Sequence, residues 1–152
     1  MRLLVFGPRT WNDRPIMEAV LVGLHHERDL TIIEGGAKGA DRMAGAIYQD
    51  LWAGSLFTEI AVFEADWRTH GRAAGPIRNR RMIAEGRPEE AVGFVHGLLD
   101  GLPDTPGSRN MAEQLLEAGV PTFYVVAPPL PEPERVRYSG LEGFRQGRRP
   151  AP

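Results

Sequence analysis

Four short segments hold the residue types whose spacing could do chemistry. The first is Gly35-Gly36-Ala37-Lys38-Gly39-Ala40-Asp41. Glycine lets a chain turn sharply and lets a ligand approach the main chain. Where such a loop opens a helix, the N–H groups of the first turn face outward and favour an anion. Lys38 adds a positive charge. Asp41 would repel a phosphate set directly against it, so it reads as a helix cap or an acceptor for a ribose hydroxyl. A tight turn with no ligand is the alternative; three glycines between a strand and a helix favour the ligand.

The second segment is Gly7-Pro8-Arg9-Thr10-Trp11. Arg9 can pair with a phosphate as a planar fork. Trp11 can stack on a base, although covering the core edge is the commoner fate of a single Trp. The third runs from Asp66 to Met82 and crowds Arg68, Arg72, Arg78, Arg80 and Arg81 together with Trp67 and His70. Arginine concentrated in one loop and helix start points to an anion. Arg80 or Arg81 reads as part of a solvated helix face. Arg78 and Asn79, placed in the first turn of a helix opened by Pro76, are the better ligand candidates. The fourth is Gly107-Ser108-Arg109-Asn110-Met111, a second helix start with a hydroxyl beside it. Here the alternative is Ser108 as a plain N-cap.

These segments need elements to position them. Leu3 to Phe6 and Leu30 to Ile33 are short apolar runs, each stopped by glycine, and read as buried strands. Phe57 to Phe63, Ala91 to Val95 and Thr122 to Val126 read the same way. Between them, helical spacing joins Ile16, Val20 and Leu24 behind a capping Asp13. It also joins Met43, Ile47 and Leu51 over Ala40 to Trp52. Further helices are expected from Pro76 to about Glu85 and from Arg109 to Ala118, and a long polar loop from Glu64 to Gly75. Strands apolar on both sides and alternating with helices predict an α/β fold. It is a Rossmann-like, doubly wound, mostly parallel five-stranded sheet in a three-layer sandwich. Ligands in such sheets sit beyond the carboxyl ends of the strands, where all four segments fall. The folded domain is read as residues 1–127. Residues 128–152, rich in Pro, Gly, Arg and Glu, are read as a flexible tail that drapes over the body.

Composition narrows the functions. A net charge of −2 argues against general nucleic-acid binding. Lys38 is the single lysine; the other basic residues are arginine. Without cysteine, thiolate chemistry is excluded. His25 and His26 are adjacent and cannot share a helix face, so no metal site is expected. No apolar run approaches a membrane span, and the chain enters a strand at once, so a cytoplasmic protein is expected. No cofactor is expected.

Together the segments resemble the YspA-like branch of the SLOG superfamily, which also holds the LOG phosphoribohydrolases and the DprA/Smf proteins. The resemblance runs from about Leu3 to Val126. It rests on Gly7, Arg9, Trp11 and Asp13; on Gly35-Gly36-Ala37 with Gly39-Ala40-Asp41; and on Ala65-Asp66-Trp67. It continues through Gly71, Ala74-Gly75, Arg78-Asn79, Met82 and Gly107-Ser108. It implies a nucleotide or nucleotide-derived ligand and a homodimer. The LOG enzymes carry Arg-Lys-x-x-Met, of which Arg78 and Met82 are kept. Aligning Gly107-Ser108 with their Gly-Thr loop puts Met111 where they have the catalytic glutamate. Glu113 lies two residues further on, about 200° around a helix.

Three functions follow in order. The first is binding or sensing of a phosphate- or ribose-bearing nucleotide derivative, through Gly7, Arg9, Trp11, Gly35, Gly36, Lys38, Gly39, Asp41, Asp66, Trp67, Arg78, Asn79, Gly107 and Ser108. The second is a nucleotide N-glycosidase, with Arg78, Asp41 and Glu113 as catalytic candidates. The third is DprA-like DNA handling, which would need a broad basic stripe.

Overall fold

A computed structural model describes residues 1–132. Its centre is a sheet of five parallel strands in the order β3-β2-β1-β4-β7. These are β1 (Arg2–Phe6), β2 (Leu30–Glu34), β3 (Thr58–Val62), β4 (Glu90–Val95) and β7 (Thr122–Val126). The chain builds outward from β1 through β2 to β3. It then returns to the other side of β1 with β4 and ends on β7. The direction of winding therefore reverses between β1 and β4, where Val5 is in register with Val92. That reversal opens a crevice at the strand ends.

Alternation along the strands builds two cores. Leu3 and Val5 of β1, Ile32 of β2 and Val92 and Phe94 of β4 face one side. There they pack on Met17 and Leu21 of α1 (Arg14–Glu27) and on Ala44 and Ile47 of α2 (Ala40–Trp52). Leu4, Phe6, Ile33 and Ala91 face the other side. They meet Met82 of α4 (Ala74–Ala84) and Met111, Ala112 and Leu115 of α5 (Pro106–Glu117). Each large side chain buried this way contributes roughly 1.5–3 kcal/mol. The three-layer sandwich and the order of its main elements agree with the pattern in the sequence.

The differences are local. The expected loop from Glu64 to Gly75 contains α3 (Trp67–His70) and a 3₁₀ turn over Gly71–Ala73. Asp66 nucleates α3 by accepting from the Thr69 amide at 3.0 Å. Helix α4 starts at Ala74, running straight on from the 3₁₀ turn, so Arg78 is its fifth residue rather than a first-turn residue. Helix α5 starts at Pro106, whose fixed φ suits a first position. Thr105 is then at the N-cap and Ser108 is two residues beyond Pro106, so Ser108 is not a cap. Between β4 and α5 lies a small antiparallel hairpin, β5 (Leu98–Leu99) and β6 (Leu102–Pro103). Its turn, Asp100-Gly101, has positive φ at both residues, the conformation that an Asp-Gly pair favours.

Beyond β7, Leu130 returns to the loop after β1. Its N–H donates to Asn12 Oδ1 at 2.9 Å, and its carbonyl accepts from Asn12 Nδ2 at 3.0 Å. Of the segment read as a tail, residues 128–132 are described and 133–152 lie outside the described residues.

Candidate functional site

A cavity of about 540 Å³ opens at the crevice, on the α4/α5 face of the sheet. A volume on this scale suits a small-molecule ligand. Phe6, Met82 and Met111 make an apolar floor, and all three are buried in the core beneath. The loop after β1 supplies Gly7 to Thr10, α4 supplies Arg78 and Asn79, and the start of α5 supplies Thr105 to Ser108. Trp67 and Arg72 stand at the mouth, and Asp41 reaches in from α2.

Two glycine-bearing loops are pressed together behind the cavity. Gly7 is pinched between β4 and α2: a Cβ there would meet the Phe94 carbonyl oxygen at 2.2 Å and Ala40 Cβ at 2.7 Å. Gly39, at φ +90°, sits on the main chain of the first loop, where a Cβ would meet Pro8 O at 2.4 Å. The Ala40 amide donates to that same Pro8 oxygen at 3.3 Å. Gly39 is therefore a contact between loops.

The loop Gly35 to Asp41 is held by charged side chains from within the protein. Glu34 accepts from the Gly36 amide, and Asp41 Oδ2 accepts from the Ala37 amide at 3.3 Å. Arg78 Nη1 donates to the Gly35 carbonyl. Gly35 must lack a side chain for this, because a Cβ would fall on the Arg78 guanidinium. Gly35, Gly36, Lys38 and Gly39 do not line the cavity, and Lys38 is exposed; of this loop, Ala37 and Asp41 line it. The loop read as a phosphate cradle thus has amides of Gly36, Ala37 and Ala40 already occupied.

The start of α5 differs. Its first main-chain bond runs from the Arg109 amide to Thr105 O at 2.8 Å. The Gly107 and Ser108 amides precede it, have no carbonyl one turn back within the helix and belong to residues lining the cavity. Thr105 makes no side-chain cap bond. Here the helix dipole and the unused donors favour an anion together.

Asp41 and Glu34 are the buried carboxylates of the site. Burial pushes Asp41 up to about 6, against the pull of Arg78 and of the Ala37 and Gly35 amides. Burial pushes Glu34 up to about 7; the Gly36 amide lowers it, and the charge of Asp41 raises it further. Glu34 lies on the α2 face, beneath Gly45, and does not line the cavity. From Arg78 a polar chain crosses to α5. Arg78 Nε donates to Asn79 Oδ1 at 3.0 Å, and Asn79 Nδ2 donates to Asn110 Oδ1 at 3.1 Å. Gln114 Nε2 donates to the same Asn110 oxygen at 2.8 Å.

The structure brings together Gly7, Arg9, Asp41, Trp67, Arg78, Asn79, Gly107 and Ser108 at one cavity. It does not bring in Trp11, Asp66 or Glu113. Trp11 is 2% exposed, stacked on His96 with ring centroids 5.4 Å apart and packed on Phe94. Its role is core cover, because the loop after β1 folds it back over the sheet. Asp66 is spent on capping α3. Glu113 is exposed and pairs with Arg109 at 3.4 Å, one turn along α5, so its position does not support the catalytic reading. Sequence reasoning missed Glu34, Thr105, Pro106 and Gln114. The signal for Glu34 was present: an acidic residue ending an apolar strand just before Gly35-Gly36.

The five-stranded parallel sheet with helices on both faces is a Rossmann-like α/β fold of the SLOG kind. The chain belongs to the YspA, cpYpsA-related SLOG family, whose family model matches residues 1–70. It is similar to the gene 61 protein of Mycobacterium phage D29, at 32% identity over 129 residues, 80% of this chain and 94% of that protein. No solved structure matches it. Among the described residues, no helix is long and apolar enough to cross a membrane.

Proposed function

We propose that the cavity binds a nucleotide or nucleotide-derived small molecule bearing phosphate and ribose. The observation that carries this reading is the convergence of Arg78 and the open first turn of α5 on one cavity with an apolar floor. The turn supplies main-chain donors for a phosphate, and Arg78 supplies positive charge beside Asp41, with Nη2 left over from its bonds to Gly35 and Asn79. Asp41 suits a ribose hydroxyl better than a phosphate. Membership of the family supports a nucleotide-related role. The test is incubation of the protein with a panel of nucleotides, followed by mass spectrometry of protein-bound and released species. A nucleotide retained intact supports the proposal; a panel that leaves no species bound or altered overturns it.

One observation favours a second reading, N-glycosidic cleavage. Asp41 lines the cavity as a buried carboxyl near pKa 6, suited to proton transfer near neutrality. Release of free base in the same experiment would establish it. Binding ranks first because Met111 forms the floor where the LOG enzymes place a glutamate. A DNA-handling role ranks last on net charge. We further infer a cytoplasmic homodimer; a monomeric mass by light scattering at micromolar concentration would overturn the dimer.

A further inference from the structure

We propose that Trp67 is the platform on which an aromatic nucleobase stacks, so that the cavity selects a base-bearing nucleotide over a bare sugar phosphate. The inference rests on the nucleotide reading above and adds the place of the base. Trp67 lines the cavity yet remains 49% exposed. The other tryptophans are engaged: Trp11 on His96, and Trp52 on His25 with ring centroids 4.9 Å apart. Trp67 is braced where its ring edge meets Gly75, at which a Cβ would lie 3.5 Å from Cη2. The Arg9 guanidinium lies over the ring, 5.6 Å from its centroid.

That contact is a removable cover. Arg9 and Trp67 are both exposed, and an exposed cation–π pair is weak. A base stacked on a tryptophan holds more strongly, whatever its sequence identity, because every base has a π-face. A base slid between ring and guanidinium would need about 3.5 Å on each side. The present spacing cannot hold it, so the base takes Arg9's place on the indole and the guanidinium moves off. The charges fix the rest of the ligand. Asp41 makes the α2 side unfavourable for phosphate. The phosphate then goes to the start of α5, the ribose faces Asp41, and the base is left at Trp67.

The test is calorimetry on the full chain with AMP, GMP, CMP, UMP and ribose 5-phosphate. Wild type, Trp67→Leu and Trp67→Phe are compared, with circular dichroism as the check on folding. At least one nucleotide should bind wild type roughly tenfold or more tighter than ribose 5-phosphate. Trp67→Leu should remove most of that advantage while changing ribose 5-phosphate affinity less than about twofold, and Trp67→Phe should keep most of it. Equal affinity of wild type for nucleotides and ribose 5-phosphate would overturn the platform and leave the phosphate-ribose reading standing. So would a Trp67→Leu protein that weakens both ligands alike. If wild type binds none of the five ligands, the nucleotide reading itself falls, and the platform with it.

Discussion

Arg78 Nη1 lies 3.9 Å from Asp41 Oδ2, and the two side chains are 13% and 7% exposed. The pair joins α4 to the first turn of α2 across the top of the sheet. At that separation the charges attract without a close hydrogen bond. Arg78 spends its bonds on the Gly35 carbonyl and Asn79 instead. It therefore stays positioned when Asp41 takes up a proton, and the pair is held by the loop as much as by charge.

Glu34 sets the first prediction. Its folded value, about 7, lies above the ordinary 4.5, so between these values the folded state binds more protons than the unfolded state. Stability from this group is then present at low pH and falls as pH rises from about 4.5 to about 7. Asp41 acts in the same direction between its ordinary 3.8 and about 6. Glu34→Gln keeps an acceptor for the Gly36 amide without the buried charge. Melting temperature measured from pH 5 to 8 should fall less steeply in the variant, which should exceed wild type at pH 8. Parallel curves would show that Glu34 does not titrate in this window.

Gly39 gives a prediction in which the structure changes what the sequence implies. A glycine in a loop of this kind suggests that Gly39→Val blocks a ligand while sparing the fold. The structure instead puts the new Cβ against Pro8 and Arg9 main chain, at a positive φ that valine resists. The substitution should destabilise by about 2 kcal/mol or more. Denaturant unfolding measures it, and a wild-type midpoint would mean that the two loops are not in contact.

Gly23 is the opposite case. It lies exposed within α1, and a Cβ there meets nothing within 4 Å. Gly23→Ala should stabilise by about 0.5–1 kcal/mol through backbone entropy. A loss of stability in the same unfolding assay would place Gly23 at a contact that α1 does not show.

Most of the fold was legible because the strands of the main sheet are short, mostly apolar runs with a helix between. Leu3 to Phe6 before Gly7 could be read from side-chain type alone. The boundaries of α4 and α5 were less legible. Pro76 is a good helix opener, but the turn beginning at Gly71 carries the chain into α4 two residues earlier. Pro106, read as loop, opens α5 instead. At the site, Asp41 and Ser108 could be named from sequence because they stand at glycine-bearing helix starts, and Arg78 and Asn79 because they stand near a helix start in an arginine-rich segment. What could not be read was direction. Glu34 and Asp41 turn inward onto the loop amides, which leaves the open main-chain donors at the start of α5. Glu113 looked available by spacing, but one residue type cannot say which face of α5 meets the cavity.

Arg78 is the side chain on which the proposed nucleotide binding at this cavity depends most directly. Titration of nucleoside monophosphates into wild type, Arg78→Lys and Arg81→Lys by calorimetry compares a cavity arginine with an exposed one paired to Glu85. Lysine keeps the charge and loses the planar guanidinium, which is placed by Gly35 and Asn79 and has Nη2 left over. Arg78→Lys should weaken binding by about 1.5–3 kcal/mol, the scale of a charged hydrogen bond. Arg81→Lys should cost under about 0.5 kcal/mol. Equal losses in the two variants, or no binding of any monophosphate by wild type, would contradict the claim that this cavity is a nucleotide site built around Arg78.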